Sequence, residues 1–240
     1  MSRLLLPRGY RNVEQLDFRL KQEAEPQWLK KGGARALRLF HEMAGRVPAY
    51  KDFLHTQHFD PRTVKSIHDF PRIPTIDKDN YLRKYPKHML CWDGEFGSGQ
   101  WVIASTSGST GEPYYFPREH SQDMQYAVMA ELYLRNNFEI HKYRTLYIVA
   151  FPMGAWIGGL FTYEALKLVA EHSGYDLSII TPGIHKKEVT NAIKQLGGNF
   201  DQIIIGAYAP FLKDILDDGK MAGVNWHDYR LGFVFSAEAF

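Results

Sequence analysis

Thiols are almost missing from this chain. One cysteine, Cys91, stands among 240 residues, which excludes an internal disulfide and a thiolate metal cluster. Such sparing use of cysteine fits a reducing cytoplasm, where we expect the protein to work. An excess of charge of one sign is missing too. The 29 Lys and Arg against 27 Asp and Glu leave a formal charge of +2, too mild to argue for nucleic acid or an anionic membrane surface as partner. No apolar run approaches a membrane span, and three leucines before Pro7 are too few for a signal-peptide core. The H-E-x-x-H pattern is also absent: His41-Glu42 is followed by Gly45 where the second His would stand. The ten histidines therefore read as surface or packing residues, and no metal ligands are expected. There is no internal repeat and no low-complexity tail.

What the chain does have is apolar and aromatic bulk. Apolar residues make up 45% and aromatics 14%, enough for a real core and for flat-walled pockets. The length allows one large domain or two small ones. Residues 12–57 read as helices. Leu37, Phe40 and Met43 form one stripe with Gly45 as a stop, and a new helix starts near Pro48. Residues 58–100 are punctuated by Pro61, Pro71, Pro74 and Pro86, which predicts short elements and turns, with one short capped helix in TIDKDNYLRKYP. From residue 101 the texture changes. WVIAS and YYFP read as strands around a polar loop, and 119–138 as a helix with Met124, Val128 and Leu132 on one face. RTLYIVAF, LSIIT, QIIIGA and LGFVFSA read as strands. Between them lie helical patterns at Trp156–Val169, HKKEVTNAIKQLG and PFLKDILDDG. Strands alternating with helices predict an α/β fold with a largely parallel sheet flanked by helices. A mainly helical N-terminal region, 1–100, precedes an α/β nucleotide- and acid-binding subdomain, 101–240. LGFVFSAEAF breaks off at a strand end, where such sheets bind ligands, so we expect the chain to be the N-terminal portion of something longer.

The polar loop is the least ordinary stretch. Ser105 to Glu112 are all hydroxylic, Gly or Glu. Gly108 and Gly111 free the backbone, and Thr106, Ser107, Ser109 and Thr110 supply hydroxyl donors for a polyphosphate. A solvated hairpin loop is the plain alternative. A Walker A loop fails on spacing, because Gly108 and Gly111 are too close and Glu112 stands where Lys is needed. A nucleophile elbow fails because no Ser is flanked as G-x-S-x-G. Lys142 and Arg144 in KYRTLYIV read as a strand edge rather than an anion site.

Thr106 to Pro113, T-S-G-S-T-G-E-P, resembles the phosphate-binding signature T-S-G-[ST]-T-G-x-P of the adenylate-forming enzymes. Over roughly residues 45–240 the chain resembles the phenylacetate–CoA ligase branch. VPAYKDFL and VKSIHDFPRIPTIDKDNYLRKYP are similar to its N-terminal region, and FPMGAWIGGLF to the segment beside its acyl pocket. IIIGAYAPFL is similar to its TPSY strand end, and FVFSAEAF to its FGAEP adenine turn. The resemblance implies that a carboxylate attacks the α-phosphorus of ATP, pyrophosphate leaves, and a thiol then displaces AMP. Mg²⁺ and coenzyme A are implied with ATP. It implies that Thr106, Ser107, Gly108, Ser109, Thr110 and Gly111 clamp phosphates and that Ser236, Ala237 and Glu238 form an adenine-side shelf. Trp156, Gly206, Ala207 and Tyr208 would wall the acid pocket, which suits an aryl or other planar acid. Trp156 taken alone reads as core. The chain departs from the pattern at Glu112, often Lys, at Ala239, usually Pro, and at Gly206 and Ala207 in place of Thr and Pro. The magnesium motif, the hinge Asp and the catalytic Lys would lie beyond residue 240, so no catalytic residue is assigned and the 240 residues alone are expected to be inactive. Two other functions remain open: adenylation with a carrier-protein thiol or an amine as acceptor, and a non-catalytic nucleotide-binding domain.

Overall fold

The structure is a computed structural model that describes residues 12–97, 99–106 and 112–236. It divides into two compact units, Phe18–Gln100 and the remainder, with Met1–Asp17 grouped with Trp101–Phe240.

The first unit is helical. After α1 (Val13–Gln22), whose first half is grouped with the other unit, helices α2 (Glu25–Arg46) and α3 (Pro48–Thr56) precede a string of short helical turns. Helix α2 does not stop at Gly45 but runs on to Arg46; the break comes at Val47, held extended at φ −94° and ψ 109°. The cause is Pro48, whose ring disfavours a helical conformation in the residue before it. In TIDKDNYLRKYP the capped element is a single π-type turn, Lys78–Leu82. The Asp77 carboxylate accepts from the Asp79 and Asn80 amides at its start. Phe40, Tyr50, Phe53 and Tyr81 are buried at the centre; Tyr81 meets Tyr50 and Phe53 edge to face, with Tyr50 and Tyr81 at 87°, while Tyr50 and Phe53 stack. Such contacts use the opposite signs of ring edge and ring face.

The second unit is α/β, as the alternation of patterns predicts. A hairpin of β1 (Trp101–Ser105) and β2 (Tyr115–Glu119) leads into α4 (His120–Phe138). There follow β3 (Thr145–Val149), α5 (Ile157–Ser173), β4 (Leu177–Ile180), α6 (Lys186–Leu196), β5 (Gln202–Tyr208), α7 (Ala209–Met221) and β6 (Leu231–Ser236). Strands β3 to β6 form one parallel sheet in the order β4-β3-β5-β6. Apolar residues pack both faces. Tyr147, Val149 and Ile204 meet α4 and α5 on one side, while Leu146, Ile148, Ile203 and Ile205 meet α6 and α7 on the other. This double burial explains why β3 and β5 read as unbroken apolar runs rather than alternating ones. After β4 the chain crosses to the far side of β3, so the winding reverses between β3 and β5. A crevice opens at the carboxyl ends of the strands beside such a reversal, and it is where open α/β sheets bind ligands. No described helix is long and apolar enough to cross a membrane.

Candidate functional site

The polar loop springs from the β1–β2 hairpin, in which Ser105 faces Tyr115. Its neck is closed by Thr106, whose amide donates to the Tyr114 carbonyl at 3.0 Å and whose Oγ1 accepts from the Tyr114 amide at 3.0 Å. The hydroxyl proton of Thr106 stays available for another acceptor. One residue earlier, the Ser105 amide donates to the Ala155 carbonyl at 2.7 Å, and Ser105 forms a parallel bridge with Trp156. Ala155 and Trp156 belong to the connection that leaves the carboxyl end of β3. The β1 end of the loop is thereby tied to the connection that leaves the carboxyl end of β3, and the β2 end is held to it through the hairpin. Ser107, Gly108, Ser109, Thr110 and Gly111 lie outside the described residues; Glu112 is exposed at the far side of the neck.

Beside this neck, at the reversal of winding, is a cavity of about 300 Å³. Tyr126 of α4, Tyr147 of β3 and Phe151 line it, with Ile157, Gly158, Phe161 and Thr162 of α5 and Val234 and Ser236 of β6. Tyr126 and Phe161 stack with ring centres 4.2 Å apart. Gly206 lies against two of these walls: a Cβ there would come within 2.5 Å of the Tyr147 hydroxyl and 3.1 Å of the Phe151 ring. The side-chain hydrogen is what lets Tyr147 lie across β5. Gly159 plays a similar part in α5, where a Cβ would meet the Pro152 carbonyl at 2.2 Å, so the first turn packs directly on the β3–α5 connection. Burial raises the Tyr147 phenol well above its ordinary pKa, and it stays protonated throughout the physiological range.

Behind the aromatic wall lies an ion pair, Arg118 Nε to Asp123 Oδ1 at 3.0 Å, with side chains only 5% and 4% exposed. The Arg118 guanidinium carbon sits 4.2 Å from the Phe161 ring centre. Its Nη1 and Nη2 are buried and find no hydrogen-bond partner among the described residues.

The residues singled out from the sequence are distributed as follows. Ser236 lines the cavity, and Gly206 lies behind its Tyr147 and Phe151 walls. Ala207 is fully buried in the opposite layer, against α6 and α7. Tyr208 precedes the first turn of α7 and stacks on Phe211 at 5.6 Å, also on that side. Trp156 precedes the first turn of α5, is 39% exposed, and holds the hairpin through its backbone. Ala237 and Glu238 lie outside the described residues. Sequence reasoning passed over Tyr126, Tyr147 and Thr162, and Phe161 entered only as part of FPMGAWIGGLF. The available signal was Tyr147, a polar-tipped ring within TLYIV. Among the described residues no three His, Cys, Asp or Glu are grouped to hold a metal ion. Cys91 is a half-buried free thiol, pushed up in pKa by burial.

No family model and no curated protein matches the chain. Its fold is similar to that of a solved 2-hydroxyisobutyryl-CoA ligase, in complex with 2-HIB-AMP and CoA in the thioesterification state, with a TM-score of 0.63 and 17% identity. The match covers 85% of this chain and 42% of the ligase chain. This chain thus spans less than half the length of that ligase, and at such identity the likeness is one of fold.

Proposed function

We propose that the chain is the N-terminal portion of an AMP-forming ligase of the phenylacetate–CoA ligase type. In this reading it adenylates a small aryl or other planar carboxylic acid with ATP and passes the acyl group to a thiol, that of coenzyme A. One observation carries the reading. T-S-G-S-T-G-E-P resembles a phosphate-binding signature, and its neck is hydrogen-bonded to the strand-end connection next to an aromatic cavity of single-ring size. The similar fold of a ligase solved with an acyl-AMP and CoA supports it.

The chemistry asks little of a protein nucleophile. Negative charge spreads over phosphate oxygens in the transition state, so positioned donors do most of the work. Loop hydroxyls and amides hold the phosphates. The cavity holds the acid's ring, and its carboxylate points out past Ser236 toward the nucleotide. Ala237 and Glu238 belong to the adenine side.

The test is acid-dependent ATP–pyrophosphate exchange by the full-length gene product across a panel of aryl and alkyl acids. Exchange with a planar acid is expected. ATP binding without exchange on any acid would instead identify a non-catalytic nucleotide-binding domain, and acyl transfer to a carrier protein or an amine but not to coenzyme A would reassign the acceptor. The 240 residues alone are expected to bind nucleotide without making acyl-AMP, because they contain neither the hinge Asp nor the catalytic Lys. Robust exchange by this piece would contradict that. Trp156→Ala is expected to alter acid preference more than ATP affinity, since Trp156 links the loop neck to α5, whose first turn lines the cavity. An unchanged acid profile would make Trp156 a purely structural residue.

A further inference from the structure

The cavity contains a hydrogen-bonding group with no partner among the described residues. Tyr147 is only 2% exposed and packed in the core on most sides, yet its ring lines the cavity. No hydrogen bond joins its hydroxyl, which lies over Gly206, to a described residue, and the hydroxyl is not fully enclosed, so water or a ligand can reach it. A hydroxyl so placed is satisfied by water until a ligand displaces it, and the ligand must then replace that hydrogen bond or leave the phenol unpaired at a cost. The rest of the lining is aromatic or aliphatic apart from hydroxyl groups, and it holds no charge. At about 300 Å³ the space is at the small end of ligand pockets, which suits one ring and not a long acyl chain.

We propose that Tyr147 is a specificity-determining residue and that the acid is a small aromatic carboxylic acid bearing a neutral hydroxyl or amino group on its ring, which hydrogen-bonds to the Tyr147 hydroxyl. This deepens the ligase reading and rests on it. A phenol both donates and accepts, and Tyr147 stays protonated, so it serves either substituent. The aromatic walls stack on the ring, and the absence of charge disfavours a second ionised group at that end. An unsubstituted ring would leave the phenol buried and unpaired, which is how such sites reject analogues that lack one polar group.

The experiment compares benzoate with its hydroxy and amino derivatives. Two readouts are taken: KM for the acid in pyrophosphate exchange by the full-length gene product, and direct titration calorimetry on the 240-residue chain. At least one substituted isomer is expected to be favoured over benzoate by roughly tenfold or more. Tyr147→Phe should remove that preference and lower the KM for benzoate, because no phenol is then left unpaired beside the unsubstituted ring. Gly158→Leu maps the place. Gly158 lines the cavity, and an added Cβ would meet nothing within 4 Å, so a larger side chain can fill the mouth without disturbing the core. It is expected to weaken every acid alike. Equal handling of all acids by wild type, a preference that survives Tyr147→Phe, or no binding of any of these acids would overturn the inference. If exchange with benzoate persists while the preference is absent, the ligase reading stands and Tyr147 is merely core. If no acid supports exchange, the ligase reading itself falls.

Discussion

Replacing Ser109 and Thr110 together by alanine is expected to slow adenylation by on the order of a hundredfold or more while barely moving the ligand-free melting temperature. A hydrogen bond to a charged oxygen is worth roughly 1.5–3 kcal/mol, and about 1.4 kcal/mol is a factor of ten in rate. Two lost donors therefore reach the hundredfold range even at the lower figure. Stability should hold because the loop's ends are fixed by other groups. The Thr106–Tyr114 clasp closes the neck, and the Ser105 amide ties it to Ala155; neither contact involves the two altered side chains. Pyrophosphate exchange and thermal unfolding without ligand, measured on the same full-length variant, check the expectation together. Exchange that survives intact would make the loop a linker. A fold that collapses along with activity would make its hydroxyls structural.

The two outcomes differ because the sequence carries two kinds of information. Elements whose signal is local were legible. Strands β3, β5 and β6 announce themselves as short apolar runs, and α4 and α6 as helical patterns between them. Even the Gly45 boundary was wrong by only one residue, since a glycine inside α2 is tolerated whereas Pro48 acts on its neighbour's backbone directly. The loop stands out for another reason: its small polar residues alone read as a solvated turn, and only the resemblance of T-S-G-S-T-G-E-P to a phosphate-binding signature makes it a candidate clamp. What remained hidden was tertiary. Nothing in the order of elements says that β3 lies between β4 and β5, and that crossing is what creates the crevice. Tyr147 looked like an ordinary strand residue, because tyrosine is common in strands. Its role depends on Gly206, which lies across the sheet and far along the chain. Gly206 itself entered only through resemblance, and without Tyr147 above it there was no physical reason to single it out. Arg118 and Asp123 are separated by five residues across a strand end and a helix start, a spacing that neither helical nor strand periodicity flags.

That hidden pair yields the largest expected change in stability. Asp123→Ala should destabilise the protein by about 3–5 kcal/mol, because it leaves the Arg118 guanidinium buried without its counter-charge. The geometry explains why the pair is so sensitive. Of the five N–H donors on a guanidinium, the one on Nε reaches Asp123, while Nη1 and Nη2 find no partner among the described residues. The Phe161 ring at 4.2 Å adds a cation–π contact worth about 2 kcal/mol when desolvated, less than the charge loses with its carboxylate. Asp123 also stands in the first turn of α4, where a negative charge opposes the helix dipole by about 0.3–1 kcal/mol. Removing both charges is a different experiment. Arg118→Met with Asp123→Leu replaces the pair by apolar side chains, and such exchanges are often neutral or stabilising. The double variant should therefore recover most of the stability lost by Asp123→Ala. Urea unfolding of wild type, Asp123→Ala and the double variant decides the matter. A loss below about 1 kcal/mol in Asp123→Ala would place Arg118 in the range of an exposed, hydrated ion pair, and a double variant as unstable as the single one would mean that shape, not charge, holds β2 against α4.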